Sequence, residues 1–131
     1  MNVLVMMAMT MAITLSSYPF LEFKTIDEKT EYIELEKNNK SLHDAIAKAS
    51  CGNCRLVITE VYRTQVQQEN IYGKSTSRKS KHQVWQAVDL RSWNLSKACK
   101  GRVLRILRAS GFTAYIHKVK GGVDHIHVEE K

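Results

Sequence analysis

Apolar positions along this chain change their spacing several times, and each change predicts an element. Leu42, Ala45, Ile46 and Ala49 recur at helical intervals behind a Ser41-x-x-Asp44 capping pattern, which predicts a helix. Ahead of it, Thr30 to Leu35 alternates, with Ile33 and Leu35 on one face, and reads as a strand. Arg55 to Tyr62 is rich in β-branched and apolar residues and is the best candidate for a central strand. Thr64 to Tyr72, free of Gly and Pro, suits a short helix. The polar, basic stretch Gly73 to Lys81 reads as a loop, and Gln86 to Leu90 as another strand. Leu95, Ala98, Cys99, Val103, Ile106 and Leu107 then trace one face of a helix that Gly111 can end, with Lys97, Lys100, Arg105 and Arg108 largely opposite. Thr113 to His117 and His125 to Glu129 are the last two strands, joined through Gly121-Gly122. Strands and helices mix without a βαβ rhythm, so the expected class is α+β, a mostly antiparallel sheet with flanking helices.

The 131 residues leave room for one domain, spanning 1–131. With 44% hydrophobic and 25% charged residues and a single proline, the chain can build a core. The longest apolar run, Val3 to Leu15, is too short for a bilayer span, so no transmembrane segment is expected. Residues 1–17 fit either the apolar stretch of a secretory signal, with Ser16 and Ser17 near a cleavage point, or a segment tucked into the core. The first basic residue, Lys24, comes late for a signal.

Charge divides the chain. Residues 1–50 carry five basic and seven acidic side chains, whereas residues 51–131 carry fifteen and six. The basic part would attract an anionic partner, and nucleic acid, anionic cell-wall polymer and acidic lipid all qualify. Three cysteines do not look like a disulfide framework. Cys51-Gly-Asn-Cys54 has no second CxxC or HxxxH to complete a structural zinc site. A redox pair suits an exported chain; the favoured reading is a turn before a strand, its thiols incidental or joined in one local bridge.

Histidines and carboxylates coincide twice, as His82 with Asp89 and as Asp124-His125-Ile126-His127. Imidazole and carboxylate are the ligands of a hydrolytic zinc, which takes three protein groups and keeps a position for water. His82, Asp89 and His127 would supply that set. Seven extended steps span roughly 23 Å, so His82 and Asp89 share an ion only if the chain folds back between them.

Ser80-Lys-His82-Gln-Val-Trp-Gln-Ala87-Val-Asp89 resembles the Ser-x-His-x-x-Gly-x-Ala-x-Asp motif of the zinc D-alanyl-D-alanine carboxypeptidase family. That family includes D-Ala-D-Ala dipeptidases, phage L-Ala-D-Glu endopeptidases and the Hedgehog signalling domain. Tyr62-Arg63-Thr64 followed by Gln68 and Tyr72 is similar to its strand-end Tyr-Arg-Thr with a Gln and an aromatic on the next helix, and Asp124-x-x-His127 to its Glu/Asp-x-x-His. The three elements run in order over residues 55–131. The resemblance implies one zinc per chain on His82, Asp89 and His127, Asp124 as general base, and Arg63 as a cation beside the scissile carbonyl. It implies a substrate-facing or supporting role for Ser80, Gln68 and Tyr72, and for Ser80 turn hydrogen bonding is an equal alternative. Trp85 stands where the family usually has Gly, so a large side chain either blocks a backbone conformation that glycine permits or lines the cleft.

Strand alternation puts His125 and His127 on one face and Asp124 on the other, which favours a His125/His127 ligand pair. The family assignment requires Asp124 to remain in the turn after Gly121-Gly122, leaving His125 supporting or substrate-facing. His43 is expected at the surface or core edge, and His117 lacks a spaced partner.

These readings lead to a zinc metallopeptidase hydrolysing amide bonds in peptidoglycan stem peptides, as a D,D- or L,D-carboxypeptidase or an endopeptidase. It would face the cell wall, secreted or periplasmic, or be phage-encoded and released at lysis. The alternatives are a non-catalytic zinc-containing cell-wall-binding protein on the same scaffold, for which Trp85 argues, and a basic nucleic-acid-binding domain. The chain lacks a recognisable nucleic-acid-reading motif, so no specific nucleic acid is expected.

Overall fold

A computed structural model describes residues 18–131. The signal-or-core segment 1–17 lies outside the described residues. Among the described residues five strands, β1 (Leu21–Phe23), β2 (Leu56–Glu60), β3 (Ala87–Arg91), β4 (Thr113–His117) and β5 (His125–Glu129), form one sheet in the order β1-β2-β3-β5-β4. Among the described residues only the β1/β2 pairing is parallel. The helices described with it are α1 (Ile26–Asn38), α2 (Lys40–Ala49), α3 (Gln65–Tyr72) and α4 (Lys97–Ala109). The class is α+β, with a mostly antiparallel sheet and flanking helices.

The strand expected over Thr30 to Leu35 is instead the middle of α1. Its buried pair is Tyr32 and Leu35, three apart, while Ile33 is exposed. Thr25 caps this helix, its side chain accepting from Asp27 N while Glu28 accepts from the Thr25 N–H, and Asp27 and Glu28 favour the first turn electrostatically. The helix predicted around Leu42 to Ala49 forms as α2, but Asn39, not Ser41, caps it by accepting from Leu42 N. Asn39 also closes α1, donating its N–H to Leu35 O, and its amide donates to Trp85 O at 2.9 Å and Glu130 Oε1 at 2.8 Å. One side chain thus ties the helical layer to the segment that carries His82.

Alternation sorts the sheet into two faces. Ile58, Val88, Leu90, Ile126 and Val128 are fully buried and join Leu35, Leu42, Ile46, Val103 and Leu107 of the helices in one core. Asp89, Arg91, His125, His127, Glu129 and Tyr115 therefore occupy the other face. Cys54, next to β2, is disulfide-bonded to Cys99 of α4, and Cys51 is free. This corrects the expectation of incidental thiols or a local bridge. Cys51 and Cys54 meet through backbone hydrogen bonds, whereas Cys54 is buried and bonded to the apolar face of α4, where Cys99 lies with Val103 and Leu107.

Candidate metal centre

His82 sits in a short 3-10 turn, Lys81–Val84, between the basic loop and β3. Ser80 caps this turn, its hydroxyl accepting from His82 N at 3.2 Å while Gln83 Oε1 accepts from Ser80 N at 3.1 Å. Trp85 ends it in the left-handed region (φ 61°, ψ 31°), a conformation that costs a side chain about 1–2 kcal/mol. The large residue does not block that conformation; its ring stacks on Tyr62 with centroids 4.7 Å apart, and its carbonyl takes the Asn39 amide.

The turn folds the chain back so that His82 meets β3. His82 Nδ1 lies 3.3 Å from Val61 O, and a carbonyl can only accept, so the ring proton sits on Nδ1 and Nε2 is left as a ligand atom. That Nε2 lies 3.4 Å from Asp89 Oδ1. In the sheet, Glu60, Asp89, His127 and Tyr115 form one cross-strand row, and His127 Nδ1 approaches Asp89 Oδ1 at 2.7 Å. His82 and Asp89 are only 2% and 8% exposed. The three residues offer one ligand atom each within 4.8 Å of one another, a group able to hold a metal ion. Bonds of about 2.1 Å at tetrahedral angles separate ligand atoms by about 3.4 Å, so the His82–Asp89 edge already fits and the His127–Asp89 edge needs only a small opening.

Burial alone would raise the Asp89 carboxyl pKa, but the hydrogen bond from His127 and the imidazoles gathered around the carboxylate hold it well below the usual range. Burial works against charge on His127 too. The Asp89 carboxylate on one side and Glu129, with Oε1 2.9 Å from Nε2, on the other raise its pKa above that of an ordinary histidine.

Arg63 leaves the end of β2, its N–H bonding His82 O at 3.2 Å. Its guanidinium donates to Gln68 Oε1 at 2.9 Å and to Glu60, while Nε is buried without a partner among the described residues. Gln68, on α3, is fully buried and donates to Arg78 O at 3.1 Å, fixing the basic loop as well as Arg63. Arg63, Tyr72, Arg78, Lys81, His127 and Glu129 line a cavity of about 300 Å³, which Gln68 and Ser80 also reach.

Asp124 is in the turn before β5, but its carboxylate faces that turn: Lys118 Nζ is 3.1 Å away and Val119 N 3.2 Å. The hydrogen bonds from Lys118 and Val119 hold its pKa below the usual carboxylate range. His125 is closer to the ligand group, with Nε2 3.5 Å from Asp89 Oδ2. His117, read from sequence as lacking a partner, has one: its Nδ1 lies 3.2 Å from His125 Nε2. Sequence reasoning missed Glu60 and Glu129. Glu129 follows His127 by two on a strand, a legible signal; Glu60 turns to His82 (3.4 Å) through an irregularity in the β2/β3 pairing, which spacing does not reveal.

A second group that could hold a metal is Glu36, His43 and Asp44. His43, expected at the surface or core edge, is buried. It stacks on Tyr32 at 4.4 Å, with Nδ1 2.9 Å from Asp44 and Nε2 3.2 Å from Tyr18 OH. Lys40 lies 2.7 Å from Asp44 and competes for its charge.

No protein-family model matches the chain, and comparison with curated proteins finds no relative.

Proposed function

We propose that the protein is a zinc-dependent peptidase acting on amide bonds of peptidoglycan stem peptides. The observation that carries this reading is the convergence of His82, Asp89 and His127 beside a cavity into which the Arg63 side of the sheet opens. The donor set, two imidazoles and one carboxylate, with His127 at the wall of the cavity, suits a catalytic zinc better than a structural one. When bound, zinc would supply a Lewis acid and a water of lowered pKa. Val61 O and Glu129 orient the two imidazoles, and Arg63, held by Gln68 and Glu60, is the cation for a developing oxyanion.

For the general base the geometry favours His125 over Asp124. A carboxylate tied to Lys118 and depressed in pKa is a poor proton acceptor, whereas His125 lies against Asp89 Oδ2, on the side of the ligand group away from the Arg63 cavity, and can pass a proton on to the leaving amine or to His117. His125→Ala should lower turnover by roughly 10²-fold or more with zinc retained, and Asp124→Asn should stay within a few-fold of wild type. Cleavage of a D-Ala-terminated and an L-Ala-D-Glu-containing wall peptide by both variants, with metal content measured alongside, decides between them. The opposite pattern would return the role to Asp124.

Metal affinity should also depend on pH. In the metal-free protein His127 holds its proton to a higher pH than an ordinary histidine, and ligation at Nδ1 displaces that proton. Apparent zinc affinity should be flat above the raised pKa and weaken about tenfold per pH unit as pH falls below it. A chelator-competition titration in which weakening begins only well below pH 6 would contradict this order of events.

The basic charge of residues 51–131 suits an anionic wall, and the Cys54–Cys99 bridge suits an oxidising setting.

A further inference from the structure

We infer that a second cavity, on the Arg91 side of the ligand group, is a carboxylate-binding subsite for an acidic group the substrate carries next to its scissile amide. The inference rests on the peptidase reading for the nature of the substrate. This cavity, of about 290 Å³, is lined by Lys24, Thr59, Arg91, Trp93, Val123 and His125. It adjoins the ligand group directly. Asp89 Oδ1 faces His127, which lines the first cavity, and Oδ2 faces His125, which lines this one.

Two strands deliver the cations. Arg91 follows Asp89 by two residues on β3, so it shares the open face, and it stands in register opposite His125. Lys24 follows β1, and its N–H donates to Ile58 O at 3.0 Å, which fixes the root of its side chain beside Thr59. Among the described residues neither cation has a carboxylate within ion-pair distance, and residues 1–17 contain no Asp or Glu. The one acid in the lining, Asp124, is already held by Lys118 and Val119 N. Two adjacent positive charges without an internal counter-ion leave the cavity electrostatically open to an anion.

The shape of the donors narrows the anion. The Arg91 guanidinium carbon lies 4.8 Å from the centroid of the Trp93 ring, and among the described residues no protein acceptor takes its N–H groups, so they are left for a two-oxygen acceptor. Trp93 and Val123, both 65% exposed, provide apolar walls beside it. The volume is at the small end of ligand pockets, enough for the end of one residue and too little for a polymer track. A planar carboxylate on a short apolar stem meets all of these features. Two sources qualify, the terminal carboxylate of a D-Ala-ending peptide and the side carboxylate of the D-Glu in an L-Ala-D-Glu peptide.

The test compares each peptide with its uncharged partner. Acetyl-L-Lys-D-Ala-D-Ala is paired with its C-terminal carboxamide, and an L-Ala-D-Glu peptide with its D-Gln counterpart. Affinity for the full chain is read from the shift of the Trp93 indole resonance, and cleavage by the zinc-loaded protein is followed separately. One pair should show a preference for the acid of about tenfold or more, as expected for a charge-assisted hydrogen bond. Arg91→Gln should bring acid and neutral forms within about twofold while zinc content is unchanged, and Lys24→Gln should reduce the preference in part. The pair that responds identifies the source. Equal affinity within both pairs, or a preference that survives Arg91→Gln, overturns the subsite. A preference without any cleavage would remove the peptidase reading and keep the subsite, whereas cleavage indifferent to the carboxylate would do the reverse.

Discussion

Wild-type protein is expected to carry about one zinc per chain, and Asp89→Ala to carry none and to cleave no wall peptide. Asp89 is the hub of the ligand group: one oxygen faces His82 and His127, the other His125. Groups that merely orient a ligand are typically worth 10- to 100-fold in metal affinity, so loss of a ligand itself should exceed about 100-fold. The alanine also leaves three histidines facing one another without their shared anion, a change that weakens the fold as well as the site. Asp89→Asn, nearly the same shape, separates the two effects, because it keeps the packing and still removes the charge. Elemental analysis after dialysis, with circular dichroism as the fold control, checks both variants. Near-stoichiometric zinc in Asp89→Asn would mean that the ion sits elsewhere, and Glu36, His43 and Asp44 would be the next group to mutate.

The second large effect is expected on stability. The Cys54–Cys99 bridge closes a loop across 45 positions, for which the chain-entropy relation gives about 4 kcal/mol. Reduction, or the double change of Cys54 and Cys99 to Ala, should therefore move the urea midpoint down by about 2 M for a protein of this size. Cys51→Ser should leave it nearly unchanged. Identical unfolding curves with and without reductant would show that the bridge contributes nothing.

Much of this architecture was legible where one physical signal dominated. Thr113 to His117 and His125 to Glu129 alternate cleanly between a buried and an open face, and both strands form with those bounds. α4 follows its apolar stripe in the same way. Thr30 to Leu35 misled because two apolar residues at spacing two outweighed the capping box at Thr25 to Glu28 and the Glu- and Lys-rich composition, both helical signals. The disulfide was hidden because its partners are 45 positions apart and meet only once α4 packs against α2, beside the turn that leads into β2. Of the candidate site, His82, Asp89 and His127 could be named from residue type and motif. The Glu60 contact, the Lys118 hold on Asp124 and the His117–His125 pair depend on turn geometry and cross-strand register, which no local pattern encodes.

That register has a consequence for how the chain reaches its final form. His125 and His127 alternate with Ile126 and Val128, so sliding β5 by a single residue against β3 would drive two imidazoles into the core and expose two aliphatic side chains. A misaligned β3/β5 pairing is thus penalised by lost burial and, where a metal is bound, also by the loss of its ligand group. Metal binding would act as proofreading of strand alignment, and zinc added during refolding should raise the yield of correctly paired molecules more than zinc added afterwards.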